Sequence, residues 1–175
     1  ACCRLCAAEG ARVVLSDVDA DALERARAES GGQLAINADV TSEADTARLV
    51  ARTVDELGSI DALVATAGLH QTTSVDAIET DEWDRVQTVN VRGTFVTVRA
   101  AIPHLRASGG GAVVTVASQS GVIATRGEAP YAAAKAGVIS LTKSIALEYG
   151  SEGIRANCVS PGFVRTDLTE IAWSI

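Results

Sequence analysis

Short apolar runs alternate with longer stretches of helical periodicity along the whole chain, and this alternation restricts the fold more than any single residue does. The runs at 12–16 (Arg-Val-Val-Leu-Ser), 33–37, 60–66, 112–117 and 153–159 have the length of strands. Between them lie helical patterns at 19–29, 41–57, 81–107 and 130–149. Residues 1–9 read as the tail of another helix, and a last one starts near Thr166. Punctuation agrees: Asp19 and Thr41 or Ser42 are placed as N-caps, and Gly10, Gly31, Gly58 and the Gly109–Gly111 run as stops. Strand–helix–strand units of this kind build a parallel sheet with right-handed crossovers. The expected fold is therefore α/β, one domain over residues 1–175, with a doubly wound parallel sheet and helices on both faces. A composition that is 47% apolar but only 3% aromatic suits strands buried on both sides.

The same composition narrows the partners. A net charge of −7 argues against nucleic acid. No apolar run approaches the roughly 20 residues that span a bilayer, so no membrane is expected. The first residues lack the basic-then-apolar pattern of a signal peptide, and a reducing cytoplasm suits the four cysteines. Cys3 and Cys6 form a C-x-x-C, but a structural zinc needs about four ligands. Small buried thiols on an apolar helix face are the simpler expectation, with no metal. The absence of any Met, even at position 1, suggests a processed or partial sequence.

In open α/β sheets, ligands gather beyond the carboxyl ends of the strands. That rule selects Asp17, Asp39, Thr66-Ala67-Gly68, Ser118 and Pro161-Gly162. Asp17 suits an acid that accepts from the adenosine ribose hydroxyls and repels a 2′-phosphate, favouring NAD; it equally suits a solvated loop acid before Asp19. Asp39 either accepts from adenine or opens a capped helix. Asn90 and Gly93 are both poor helix formers inside a helical pattern, which points to a local distortion or a close backbone approach. His70 follows a strand end and either touches substrate or is a plain loop residue. His104 suits a solvated helix terminus.

Ser118, Tyr131 and Lys135 form the sharpest group. Tyr131 and Lys135 are four apart near the start of a helix and share a face. An ammonium about 4 Å from a phenol contributes ~4 kcal/mol at an effective dielectric of 20, enough to lower the Tyr pKa by roughly 3. Ser118 is then placed to donate to a substrate oxygen. The expected chemistry is proton transfer by these three residues while a nicotinamide cofactor moves a hydride.

With Ser118, the Tyr131-Ala-Ala-Ala-Lys135 segment thirteen residues on, and the Asn90-Val-Arg-Gly segment, the chain resembles the short-chain dehydrogenase/reductase family over essentially its whole length. The resemblance implies a Rossmann-type fold and a catalytic group of Asn90, Ser118, Tyr131 and Lys135. Tyr131 would be the acid/base, and Ser118 would polarise the substrate oxygen. Lys135 would bind the nicotinamide ribose, and Asn90 would hold a relay water. It also implies that Asp17, Asp39, Val40, Thr66, Ala67, Gly68, Pro161, Gly162, Val164 and Thr166 meet the cofactor, with NAD preferred. The family's Asn-Asn-Ala-Gly is here Ala65-Thr66-Ala67-Gly68. Its first strand and Gly-rich phosphate loop are missing from the 175 residues. Two flanking strand edges are thus expected to lie unpaired, and the chain as given to bind NAD weakly.

The reaction implied is hydride exchange between NAD and a secondary alcohol or ketone. The alternatives are an NADP-dependent 3-oxoacyl-type reductase, which Asp17 argues against, and a non-catalytic scaffold derived from the family. The resemblance further implies a homotetramer built through the helices at 81–107 and 130–149.

Overall fold

A computed structural model describes residues 2–164. Its elements follow the expected alternation. They run α1 (Cys2–Ala8), β1 (Val14–Asp17), α2 (Ala20–Ser30), β2 (Leu34–Asn37), α3 (Glu43–Leu57), β3 (Ala62–Ala65), α4 (Thr80–Gln87), α5 (Gly93–Ala107), β4 (Gly111–Val116), α6 (Ala129–Tyr149) and β5 (Ile154–Val159). Asp19 caps α2 by accepting from the Ala22 N–H, and Ser42 caps α3 by accepting from that of Asp45. Gly31 and Gly58 close these helices in the left-handed region, at φ 72° and 85°. The helix expected from Thr166 lies outside the described residues.

All strand pairs are parallel. β1 pairs with β2 in one sheet, and β3, β4 and β5 form a second in that order. The expected unpaired edges are therefore present: β1 and β3 each have one ladder partner among the described residues. The helices flank these sheets. α2 packs on β1 and β2, α5 on β3 and β4, and α6 on β4 and β5. The main core lies between α3, α5, α6 and the larger sheet, where Val50, Val98, Ala101, Ile102, Leu105, Val113, Ile145 and Ile154 meet.

Two local outcomes matter for the site. The helical pattern expected as one helix over 81–107 is interrupted by a π-turn, Thr88–Arg92, between α4 and α5. There the Gly93 N–H reaches the Thr88 carbonyl, five residues back. Both readings of the Asn90/Gly93 pair thus hold, because a Cβ at Gly93 would also lie 2.8 Å from Val40 Cγ2. The second outcome is a short 3₁₀ turn, Gln119–Gly121, that lays the chain after β4 against α6. A Cβ at Gly121 would lie 2.7 Å from the Lys135 carbonyl carbon, so this contact requires glycine.

The cysteines depart from expectation. Cys2 and Cys6 are exposed and Cys3 is half-buried. The reason is that α1 contributes no buried residue and meets the rest of the chain mainly at α2, so its apolar face has no core to enter.

Substituting Gly121→Ala forces backbone apart rather than a flexible side chain. We expect a loss of about 1–3 kcal/mol of stability in urea unfolding. A variant as stable as the native protein would show that the 3₁₀ turn does not clamp α6.

Candidate active site

Lys135 is built into the floor of the site. It lies one turn inside α6, is only 4% exposed, and donates from Nζ to the Val116 carbonyl at 2.9 Å, at the end of β4. Asn90 is fully buried on the neighbouring π-turn. Its amide donates to the carbonyls of Leu69 (2.8 Å) and Val86 (2.9 Å), and its Oδ1 accepts from the Leu69 N–H (3.3 Å). Two of these bonds tie the loop after β3 to the helix, and the third is made within the helix itself. Gly68 closes this corner: a Cβ there would lie 2.9 Å from Asn90 Oδ1 and 3.2 Å from Lys135 Nζ. Thr94 and Thr97 donate to the carbonyls of Asn90 and Gly93, so hydroxyls serve backbone groups around the widened turn.

Above this floor, Ser118 sits in extended backbone at the end of β4, and its Oγ accepts from the Ser120 N–H at 3.1 Å. Ser118 and Tyr131 line the same cavity, and the Ser118 hydroxyl pulls the Tyr131 pKa downward. The Tyr131 ring lies under the Lys135 ammonium, with Nζ 5.5 Å from the ring centroid. Tyr131, Ser118, Gln119, Ser120, His70, Glu128, Gly162 and Phe163 enclose a cavity of about 80 Å³. Sequence reasoning missed Glu128 and Ser120 and left His70 undecided. The three converge: Ser120 Oγ donates to Glu128 Oε2 at 2.6 Å, and His70 Nε2 meets Glu128 Oε1 at 3.2 Å. Their contacts span up to 58 residues of sequence, and no local pattern announces them.

The electrostatics correct one expectation. Tyr131 is not driven down by Lys135. Burial raises its pKa, the Ser118 hydroxyl lowers it, and the Glu128 charge raises it again. The ammonium is aimed at the ring and at the Val116 carbonyl, so its charge is spent there. Lys135 itself falls from its ordinary 10.5 to about 8, because burial disfavours its charged form.

The other residues selected from the sequence surround this floor. Asp17 is exposed at the end of β1 and accepts from the Asp19 N–H at 3.0 Å, so both readings of it survive. Asp39 is half-buried and its Oδ1 accepts from the Thr41 N–H and hydroxyl, both at 2.8 Å, a local turn that leads into the Ser42 cap. Val40 packs against Gly93. Thr66, Ala67 and Gly68 are exposed at the end of β3. Pro161 accepts from the Gln119 N–H at 2.9 Å, which holds the Pro161-Gly162 turn beside Ser118. Val164 is exposed, and Thr166 lies outside the described residues. His104, on α5, lies away from this cavity and lines a separate cleft with Asp61 and Ser108.

The Lys135 pKa carries a signed consequence for stability. The folded state holds this proton less tightly than the unfolded chain does, so ionised Lys135 opposes folding below pH 8 and ceases to do so as pH rises toward 10.5. We expect Lys135→Met to gain stability over the native protein at about pH 7, and that advantage to shrink by up to about 3 kcal/mol on going to about pH 10. Urea unfolding of both proteins across that range checks it; a difference that is flat with pH would contradict it.

Comparison with known proteins identifies the family. The family model for short chain dehydrogenases matches residues 1–174. The chain is 36% identical over 171 residues to 2-(R)-hydroxypropyl-CoM dehydrogenase of Xanthobacter autotrophicus, covering 93% of this chain and 68% of that protein. It is 39% identical over 169 residues to cis-4-hydroxycyclohexanecarboxylate dehydrogenase of Sinomonas cyclohexanicum, covering 94% and 68%. Among solved structures, levodione reductase superposes with a TM-score of 0.93 at 34% identity, covering 97% of this chain and 69% of that one. The chain thus spans about two thirds of the length of these relatives. It belongs to the short-chain dehydrogenase/reductase family of oxidoreductases.

Proposed function

We propose that the protein exchanges a hydride between NAD and a secondary alcohol or ketone, with Tyr131 as the proton carrier. The observation that carries this reading is that Ser118 and Tyr131 line one cavity, with a nearly dry Lys135 behind them. Tyr131 is held protonated by its burial. In the reducing direction its hydroxyl gives a proton to the carbonyl oxygen and becomes a phenolate; in the oxidising direction the phenolate, formed by prior loss of that proton to solvent, takes one from the alcohol. Ser118 donates to that same oxygen and fixes its place. Lys135 holds positive charge over the face of the ring, and Asn90 holds the β3 loop to the helix.

The residues present fit a dinucleotide. Gly68 leaves open the corner that a Cβ would fill, and Thr66, Ala67 and Pro161-Gly162 expose backbone at strand ends. Asp39, Val40 and Val164 would border the cofactor, and the exposed Asp17 carboxylate favours ribose hydroxyls over a 2′-phosphate. When bound, the nicotinamide supplies or accepts the hydride. Phe95 and Leu147, 42% and 85% exposed on α5 and α6, support association of copies through these helices into a tetramer. No described helix is long and apolar enough to cross a membrane, which agrees with a cytoplasmic setting without requiring it.

The test is Tyr131→Phe in the full-length protein. Turnover of secondary alcohols is expected to fall by about 10²–10⁴ while NAD affinity changes by less than about twofold. Retained turnover would remove Tyr131 from this role. NAD is also expected to exceed NADP in kcat/KM by about tenfold or more, and Asp17→Ala to narrow that gap.

A further inference from the structure

Next to the reacting pair, the cavity wall carries a charge that the hydride reaction does not use. Glu128 is 8% exposed, just before Tyr131 at the start of α6. Its Oε2 accepts from Ser120 Oγ at 2.6 Å and its Oε1 meets His70 Nε2 at 3.2 Å. The His70 ring stands edge-on to Tyr131, with centroids 4.8 Å apart and planes at 83°. Among the described residues that enclose this cavity, none is Lys or Arg. Lys135, the nearest buried cation, is committed to the Val116 carbonyl.

Resting on the oxidoreductase reading above, we propose that the His70–Glu128–Ser120 cluster is the specificity element of the site, selecting a neutral substrate that carries a second hydroxyl beside the reacting carbinol and rejecting one that carries a carboxylate there. An ionised carboxylate only accepts hydrogen bonds and offers about four lone-pair positions, of which Ser120 and His70 engage two. A carboxylate only accepts, so the proton between the two groups sits on His70 Nε2, and the remaining Glu128 lone pairs are open to a further donor. The cluster therefore offers acceptors, and a substrate hydroxyl supplies the matching donor. A substrate carboxylate would bring a second negative charge and no donor to the same wall. Because one cavity of about 80 Å³ holds both Ser118–Tyr131 and Glu128, the donor must sit close to the reacting carbon.

Propane-1,2-diol and lactate test this directly. Both present the same secondary alcohol, and they differ in carrying a CH₂OH or a carboxylate beside it. Turnover with NAD and with NADP, and equilibrium binding by ligand-observed NMR, are measured for each on the native protein and on Glu128→Gln. The native protein is expected to prefer the diol by about tenfold or more in binding, and Glu128→Gln to reduce that preference to about threefold or less. Should Glu128→Gln fail to fold, His70→Gln replaces it, with the preference expected to narrow by about threefold. Equal or tighter binding of lactate, binding of neither compound, or a preference untouched in the variant overturns the proposal. Selective diol binding without turnover by either dinucleotide would instead sink the oxidoreductase reading and leave this one standing. Turnover without diol preference would do the reverse.

Discussion

A lysine ammonium kept almost dry at the end of β4 is the constraint around which the site is arranged. Burying such a charge is costly unless polar groups replace its water. The Val116 carbonyl supplies one, and the Tyr131 ring face another. To reach them, α6 must begin close under the strand end, which the tight approach at Gly121 permits. The loop after β3 must also close the remaining side, and the fully buried Asn90 holds it there. The lowered proton affinity of Lys135 is the residual cost of this arrangement.

Much of this was legible in the residues. The alternation of runs located the described strands and α-helices, with α4 and α5 read as one, because a fold of βαβ units needs apolar strands and punctuated helices in that order. Asn90 and Gly93 announced a disturbed helix, and the disturbance is a π-turn. The spacing of Ser118, Tyr131 and Lys135 placed the three together, because strand end and helix start are fixed points of the fold.

What stayed hidden depends on where side chains aim and how much water they lose. A four-residue spacing puts Lys135 beside Tyr131, but it does not say whether the ammonium faces the hydroxyl or the ring. The structure puts it over the ring, and burial then raises the Tyr131 pKa where the charge alone would lower it. His70 and Glu128 meet across the fold, and no local periodicity encodes that meeting. The thiols of α1 misled for a related reason. An apolar face is read as buried only if the fold brings something to cover it, and α1 has little beside it but α2.

The π-turn at Thr88–Arg92 also bears on how this chain tolerates change in length. A widened turn holds one residue more than the α-helix would use over the same rise. Deleting a residue within it would let α4 and α5 merge into one regular helix, a locally favourable repair. Everything on one side of the deletion would turn by about 100° relative to the other, since an α-helix advances 3.6 residues per turn. Asn90 and Gly93 could then no longer face the β3 loop and Val40 together. The site therefore depends on an extra residue that helix geometry alone would not require.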